Sequence, residues 1–197
     1  MRKCMIMAFI VLLCFTGCSK ADNTKQSSEI PSSAEVQESS QAVEESSAVT
    51  SQSSDTDQTG ITYQMSIPEG YTELEMEGIE FYYMYEDGSN INMNIQDKDS
   101  GFSLVTADML NDALVSTFQQ TYDVDLTITD NYFTTNEISG YPSYQYCISY
   151  EFQGIPFTQL IVGIDADRTY TFTFTDVAGG AWMTAFEESA KSIVITP

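Results

Sequence analysis

Cys18 is the residue whose surroundings predict the most definite chemistry. It follows Phe15-Thr16-Gly17, and an almost unbroken apolar run from Met5 precedes those residues, with Arg2 and Lys3 at the start. This order is typical of a secretory signal peptide. The residues before the cysteine resemble a bacterial lipobox, in which the cysteine is acylated on sulfur and becomes residue one of the mature protein. We therefore expect lipidation of Cys18; the alternative is an ordinary cleaved signal that happens to contain a cysteine.

Three pairs of aspartates have a spacing that suits a hard cation. They are Asp97 and Asp99, Asp123 and Asp125, and Asp165 and Asp167, and each pair lies near a predicted strand end. Calcium binds roughly six to eight oxygen atoms, which loop carboxylates can supply. The stretch that begins at Asp97 departs from an EF-hand loop, because Gly101 stands at a ligand position and the closing glutamate is absent. We interpret the pairs as solvated turns and predict no metal site.

Two rows of aromatic side chains form a further candidate site. Alternate residues of two predicted strands make up the rows: Tyr144, Tyr146, Ile148, Tyr150 and Phe152, and Tyr170, Phe172 and Phe174. Tyrosines stacked on a sheet can bind sugar rings, so a glycan platform is one interpretation. The other, which we favour, is that the rows are inner faces of a sheet covered by helices. The solvent exposure of Tyr144, Tyr146 and Tyr150 separates the two interpretations.

Catalytic chemistry finds little support in the sequence. There is no histidine, which removes the commonest general base and the commonest zinc ligand. The motifs G-x-S-x-G, G-x-G-x-x-G, S-x-x-K and the P-loop are also absent. Carboxylate catalysis needs two positioned Asp or Glu side chains, and no motif singles out a pair. We therefore predict that the protein is not an enzyme, with no catalytic residue and no cofactor.

The charge of the folded part is strongly acidic. Residues 61–197 carry 21 acidic and 3 basic side chains, a net charge of −18. Such a field repels nucleic acid and anionic lipid headgroups and favours cations or basic partners. The simpler interpretation is that it keeps an exported domain soluble. Cys147 is the one cysteine in this part of the chain, so its stability has to come from a core rather than from disulfides.

The composition divides the chain into three parts. Residues 1–17 form the predicted lipoprotein signal peptide, whose apolar run is shorter than the roughly 20 residues of a membrane span. Residues 18–60 carry the lipidated cysteine and a Ser-, Glu- and Gln-rich segment without aromatic residues or leucine. Such a segment cannot bury enough apolar surface to fold, so we predict a disordered tether. Residues 61–197 form the predicted globular domain.

The periodicity of apolar residues predicts the elements of this domain. Strand-like alternation covers residues 63–67, 79–86, 90–96, 126–134, 144–152, 158–164 and 170–175. A helical period covers residues 106–121, with Leu110, Leu114 and Phe118 on one face. A second helix carries Trp182 and Phe186 on one face, and residues 193–195 close the domain. The connections between strands are short, which favours antiparallel pairing.

Two short motifs and this element order resemble the PsbP-like superfamily. A strand enters Ile67-Pro-Glu-Gly-Tyr71, and the last helix ends in Ser192-Ile-Val-Ile195. The superfamily includes the extrinsic PsbP protein of the oxygen-evolving complex, a nuclear-import factor and many bacterial lipoproteins. For residues 61–197 the resemblance implies an α+β fold, an antiparallel β-sheet flanked by helices in an α/β/α sandwich. It also implies binding or assembly of a partner, and it assigns no binding residue here.

The anchor, the tether and the missing catalytic motifs favour one functional hypothesis. We expect a membrane-anchored extracytoplasmic lipoprotein whose acidic domain binds a protein, a peptide or a cell-wall component, with no nucleic-acid partner. The alternative is a carboxylate-dependent hydrolase or carbohydrate-binding module at the cell surface.

The first prediction concerns Cys18. Intact mass spectrometry of membrane-extracted protein is expected to show a diacylglyceryl group and the loss of residues 1–17, because two acyl chains anchor a protein stably where one is marginal. Cys18→Ala is expected to release the protein from the membrane or leave it unprocessed. A Cys18→Ala protein that has lost its signal and still fractionates with membranes would contradict lipidation.

Overall fold

A seven-stranded antiparallel sheet forms the body of the structure, a computed structural model that describes residues 62–98 and 100–196. The predicted signal peptide, Cys18 and the tether lie outside these residues, as does Asp99. Within the described ranges no helix has both the length and the apolar content needed to cross a membrane.

The described residues form nine strands, two α-helices and one 3-10 turn at Phe102–Leu104. The strands are β1 (Thr62–Gln64), β2 (Thr72–Leu74), β3 (Phe81–Met84), β4 (Asn90–Gln96), β5 (Ile128–Ile138), β6 (Tyr141–Phe152), β7 (Ile155–Asp165), β8 (Thr169–Asp176) and β9 (Val194–Thr196). The helices are α1 (Ala107–Tyr122), between β4 and β5, and α2 (Met183–Lys191), between β8 and β9.

The large sheet has the order β2-β3-β4-β8-β7-β6-β5, and every neighbouring pair is antiparallel. Strands β1 and β9 form a separate two-stranded ladder. The register aligns Ile91, Phe174, Leu160 and Cys147 in one row across four strands. Because side chains alternate between faces along a strand, this row defines one face of the sheet.

One helix packs on each face of the sheet. Phe186 of α2 contacts Phe174, with ring centroids 5.5 Å apart, on the face that carries Cys147. Phe118 of α1 contacts Tyr150, with centroids 5.5 Å apart. Tyr150 lies three residues after Cys147 on the same strand, so it points to the opposite face. The fold is therefore the expected antiparallel sheet with flanking helices, although strands dominate it and the helical layers are thin.

Helix α1 agrees with the amphipathic pattern in the sequence. Thr106 is its N-cap, and the threonine side chain accepts a hydrogen bond from the N–H of Met109 at 3.3 Å, as expected of a capping residue. Leu110, Leu114 and Phe118 are buried. The predicted helix at 106–121 is thus shifted by one residue at each end.

The turns before β6 and β7 are shorter than the sequence predicts. Glycine and proline at 140–142 and 153–156 indicate longer breaks, but each loop has only two residues, Ser139-Gly140 and Gln153-Gly154. All four of these residues have positive φ values between 53° and 81°. Two such residues in succession form the type of turn that matches the twist of a hairpin, so both long strands extend up to their loops.

Pro142 and Pro156 consequently lie inside strands. A proline has no N–H to donate to a ladder. Pairing of β6 with β7 begins at Ser143, and pairing of β7 with β8 begins at Thr158. Pro142 therefore lies beyond the end of the pairing with β7, and Pro156 lies beyond the end of the pairing with β8. No ladder donor is required at either position. Strand β2, which the sequence pattern does not predict, is only three exposed residues long.

Gly163 permits a close approach between two strands. It is paired with Tyr144 on β6, and the tyrosine ring lies over the glycine so closely that a Cβ there would overlap ring atoms. The glycine therefore serves packing of the aromatic row rather than a turn.

We predict that Gly163→Ala lowers the free energy of unfolding by about 1–3 kcal/mol, because the added methyl group overpacks this site. Urea unfolding of the wild type, the two single variants and the double variant with Tyr144→Leu measures the coupling between the positions. In the Tyr144→Leu background the alanine is expected to cost much less. An equal cost in both backgrounds would show that the ring is not the obstacle.

Candidate functional site

The tyrosine row of β6 lies under α1 and is buried. Tyr144, Tyr146 and Tyr150 have exposures of 7%, 0% and 3%. Tyr146 donates a hydrogen bond to Asn111 Oδ1 on the helix. Burial raises the pKa of Tyr144 to about 12 and also raises the pKa values of the other two. The core interpretation is therefore confirmed, and this row cannot be a glycan-binding platform.

One described member from each of two aspartate pairs, Asp97 and Asp165, lies at the same end of the sheet. Asp97 follows Gln96, which is paired with Thr169 at the start of β8, and Asp165 ends β7 in the adjoining turn. The third pair lies elsewhere. Asp123 caps the C-terminus of α1, where Tyr122 contacts Phe152 at the opposite end of β6.

Basic side chains lie beside the carboxylates of Asp97 and Asp165. Lys98 Nζ lies 3.5 Å from Asp165 Oδ1 and donates to the carbonyl oxygen of Ala166 at 2.8 Å. Arg168 Nη2 lies 3.9 Å from Asp97 Oδ1. Among the described residues, no group of three or more Asp, Glu, Cys or His side chains could hold a metal ion. The geometry is that of ion-paired turns.

Cys147 is buried at the centre of β6. Burial raises the pKa of its thiol to about 11, and the carboxylates of Asp130 and Glu187 add to the effect. A nucleophilic cysteine requires a thiolate, so this thiol is poorly suited to nucleophilic catalysis at neutral pH.

A buried carboxylate that belongs to no recognisable sequence motif organises the start of α2. Asp176 ends β8 and is fully buried. Its Oδ1 accepts hydrogen bonds from the N–H groups of Ala178 at 2.6 Å and Gly180 at 3.2 Å, and its Oδ2 accepts from that of Trp182 at 2.6 Å. The only sequence signal is an acidic residue at a strand end before a Gly-Gly loop. Because three backbone donors occupy the carboxylate, its role is to hold the loop.

A second carboxylate is linked to the same loop through Trp182. Asp87 Oδ2 accepts a hydrogen bond from Trp182 Nε1 at 2.9 Å, and its Oδ1 accepts from the N–H of Ser89 at 2.7 Å. Burial by itself raises the pKa of Asp87, but the hydrogen bonds from Trp182 and Ser89 outweigh it and hold the pKa below its ordinary value. Trp182 shares a predicted helical face with Phe186, which predicts that it packs in the core. It is the N-cap of α2 and packs against the core, but it is only partly buried.

Two tyrosine rings contact Trp182 and each other. The ring centroid of Trp182 lies 4.5 Å from that of Tyr85 and 5.1 Å from that of Tyr71. Burial raises the pKa of the Tyr71 hydroxyl, and the carboxylates of Asp87 and Asp176 raise it further. Rings at these separations are in direct contact, so no space remains between them for a cation or a sugar. The cluster packs the domain rather than forming an open cage.

An open acidic groove lies at the hairpin that joins β2 and β3, with a volume of about 890 Å³. Four glutamates and four apolar side chains line it: Glu73, Glu75, Glu77, Glu80, Leu74, Met76, Ile79 and Phe81. Leu74 is 39% exposed. The ion pairs within the described residues include none of these glutamates. We call this surface the acidic groove.

Solved structures of similar fold include a cyanobacterial protein. Cyanobacterial PsbP (CyanoP) from Synechocystis superposes with a TM-score of 0.54 at 13% identity, over 68% of this chain and 86% of that one. LpqN, involved in cell envelope biogenesis of Mycobacterium tuberculosis, matches with a TM-score of 0.46 at 10% identity, over 77% and 91% of the two chains. The chain thus has a PsbP-like fold, as its element order indicates.

Sequence comparisons add nothing to this assignment. No protein-family model matches the chain, and no curated protein matches it. At 13% identity the likeness to the cyanobacterial protein concerns the fold alone.

We predict that Trp182→Phe lowers the free energy of unfolding by about 1–2 kcal/mol at pH 7, because it removes a hydrogen bond to a charged, partly exposed carboxylate. The pKa of Asp87 is lower in the folded protein than its unfolded value of 3.8, so the ionised carboxylate stabilises the fold above that pH. This stabilisation is lost as the pH falls through the folded-state pKa. The difference between variant and wild type should therefore shrink below about pH 4. Urea unfolding at pH 3 to 7 measures this, and Tyr85→Phe, which keeps the Asp87 bond, should show no such pH dependence.

The acidic turns give a prediction for cations. Lys98 and Arg168 already accompany the carboxylates there, so calcium and sodium chloride at matched ionic strength should raise the melting temperature equally by screening repulsion. Thermal melts of the full-length protein check this. A saturating rise specific to calcium, lost in Asp165→Asn, would instead reveal an ordered calcium site.

Proposed function

We propose that the chain is an extracytoplasmic lipoprotein, held to the cell membrane through lipidated Cys18, whose α+β domain binds a basic protein or peptide without catalysing a reaction. The observation that carries this proposal is the acidic groove. Its apolar side chains provide contact area, and its four glutamates lack described ion-pair partners.

The distribution of polar chemistry in the domain supports a binding role. Asp176 and Asp87 accept hydrogen bonds from backbone and indole donors, and burial raises the pKa of the Cys147 thiol. The groove differs from these sites because its carboxylates form no ion pair with another described residue. Within the described residues, no observation favours the alternative of a hydrolase or a carbohydrate-binding module, and the burial of the tyrosine row removes the platform on which sugar binding was based.

The composition of the groove indicates the chemistry of the partner. A net charge of −18 on residues 61–197 attracts cationic segments and repels nucleic acid. Exposed apolar side chains such as Leu74 add contact area that a simple counter-ion would not use. A segment that interleaves lysine or arginine with aliphatic residues satisfies both features.

The patterns that resemble a signal peptide and a lipobox support the proposed location. A tether of 42 residues that behaves as a flexible coil, as the composition of residues 19–60 predicts, would span on the order of 35–40 Å on average. That arrangement suits a domain that meets partners at the cell surface.

We predict that the double variant Glu75→Lys and Glu77→Lys weakens binding of a fluorescent lysine–leucine peptide by about tenfold. Two exposed pairs contribute roughly 0.2–1 kcal/mol each, and reversal adds repulsion of similar size. Fluorescence anisotropy with the full-length protein gives the dissociation constant. The same peptide with glutamate in place of lysine should not bind.

A matched variant controls for net charge. Asp108→Lys and Asp112→Lys change the total charge equally but lie on α1, away from the groove. This control should weaken binding by less than the groove variant. Equal effects of the two double variants would mean that the peptide responds only to overall charge, and the groove would lose its assignment.

A further inference from the structure

Strand β5 leaves one long edge of the sheet open. It is the last strand in the order and pairs only with β6 among the described strands. It is eleven residues long, and most of its side chains are exposed, Tyr132 to 44%. An exposed edge presents unpaired backbone donors and acceptors to an incoming chain.

The hairpin loop determines which backbone groups of β5 face outward. Ile138 and Tyr141 flank the two-residue loop, so they form a hydrogen-bonded pair with their N–H and C=O groups directed at each other. Hydrogen-bonded and non-hydrogen-bonded pairs alternate along an antiparallel ladder. The residues with outward-facing N–H and C=O groups are therefore Asn131, Phe133, Thr135 and Glu137.

The central part of this edge lacks the features that usually block pairing. Residues 131–136 contain no charge and no proline, whereas natural edges are commonly protected by lysine, proline or bulges. The ladder has an irregularity between Ile128 and Asp130, so the regular edge begins after it. Phe133 stacks on the buried Tyr144 with centroids 5.6 Å apart, which holds the middle of the strand in place. The edge is thus a regular template about seven residues long.

Carboxylates border this template. Asp130 and Glu137 lie on β5 at its two ends. Glu187 of α2 lies near the template, because the charge of its carboxylate raises the pKa values of Cys147 and Tyr132. These two residues are paired on β6 and β5. Lys191 in the last turn of α2 is the one basic side chain of that helix. The surroundings of the edge are therefore predominantly acidic.

We propose that β5 accepts an extended basic segment of a partner protein as an eighth strand, by β-augmentation. The backbone groups of Asn131, Phe133, Thr135 and Glu137 would provide the ladder, and the bordering carboxylates would select lysine or arginine. A second copy of the chain fits the edge less well, because it brings another domain of charge −18 and the same bordering carboxylates. This inference rests on the proposed binding role and adds a mode of recognition at a surface distinct from the acidic groove.

A peptide of alternating lysine, valine and threonine, and the same peptide methylated on alternate backbone nitrogens, test the proposal. Methylation removes the donors of a ladder but leaves the charge unchanged, so it should weaken binding to the full-length protein at least tenfold. Fluorescence anisotropy at low and high salt measures both affinities. Equal binding of the two peptides would overturn β-augmentation and indicate electrostatic attraction alone.

Substitutions on β5 provide the second arm. Thr135→Pro removes an outward N–H without removing a hydrogen bond to β6. It should weaken binding of the unmethylated peptide as much as methylation of the peptide does. Thr135→Ser keeps the N–H and should change affinity by less than about twofold. If Thr135→Pro lowers the melting temperature, Asn131→Pro, which also removes an outward N–H, takes its place. Unchanged binding by a folded proline variant would overturn the proposal.

Two further outcomes separate this inference from the proposed function and from self-association. Peptide binding that is lost in Glu75→Lys with Glu77→Lys but insensitive to Thr135→Pro would preserve the groove and overturn the edge. Failure of every peptide to bind would overturn both. Sedimentation of the full-length protein in detergent should show a monomer, and a dimer that Thr135→Pro dissociates would assign the edge to a second copy instead.

Discussion

The register of the central strands is the constraint on which the rest of the structure depends. Strands β4, β8, β7 and β6 align Ile91, Phe174, Leu160 and Cys147 in one row. A slip by one residue would exchange the two faces of a strand, and both faces here are occupied by a helix. Helix α2 requires Phe174 on its side, and α1 requires Tyr150 on the other. The two-residue loops with positive φ values hold this register at both long hairpins.

The same constraint decides which polar groups remain open to a partner. Burial of both faces places the aromatic rows and Cys147 in the interior, and Asp176 is used to fix the loop into α2. Two accessible surfaces lie at the two sides of the sheet. At one side the β2–β3 hairpin carries the acidic groove, and at the other side β5 exposes its backbone. The partner binding proposed above rests on these two accessible surfaces.

Much of the fold could be predicted from periodicity, and the departures have identifiable causes. Strand β4 has the predicted bounds, and α1 differs by one residue at each end. The strands around Pro142 and Pro156 are longer than predicted, since a proline interrupts a strand only where a neighbour needs its N–H. Strand β2 is not apparent from the sequence, because all three of its residues are exposed and burial imposes no periodic pattern on them.

The sequence by itself determined the α+β class, the antiparallel order of elements and the aromatic core, because burial imposes a period of two on strands and 3.6 on helices. It also determined the acidic charge and the absence of histidine. Only the tertiary structure decided which distant residues meet. Lys98 reaches Asp165, and Trp182 reaches Asp87, across separations of 67 and 95 residues. Only the strand order showed that β5 lies at an edge, because local periodicity contains no information about which strands become neighbours.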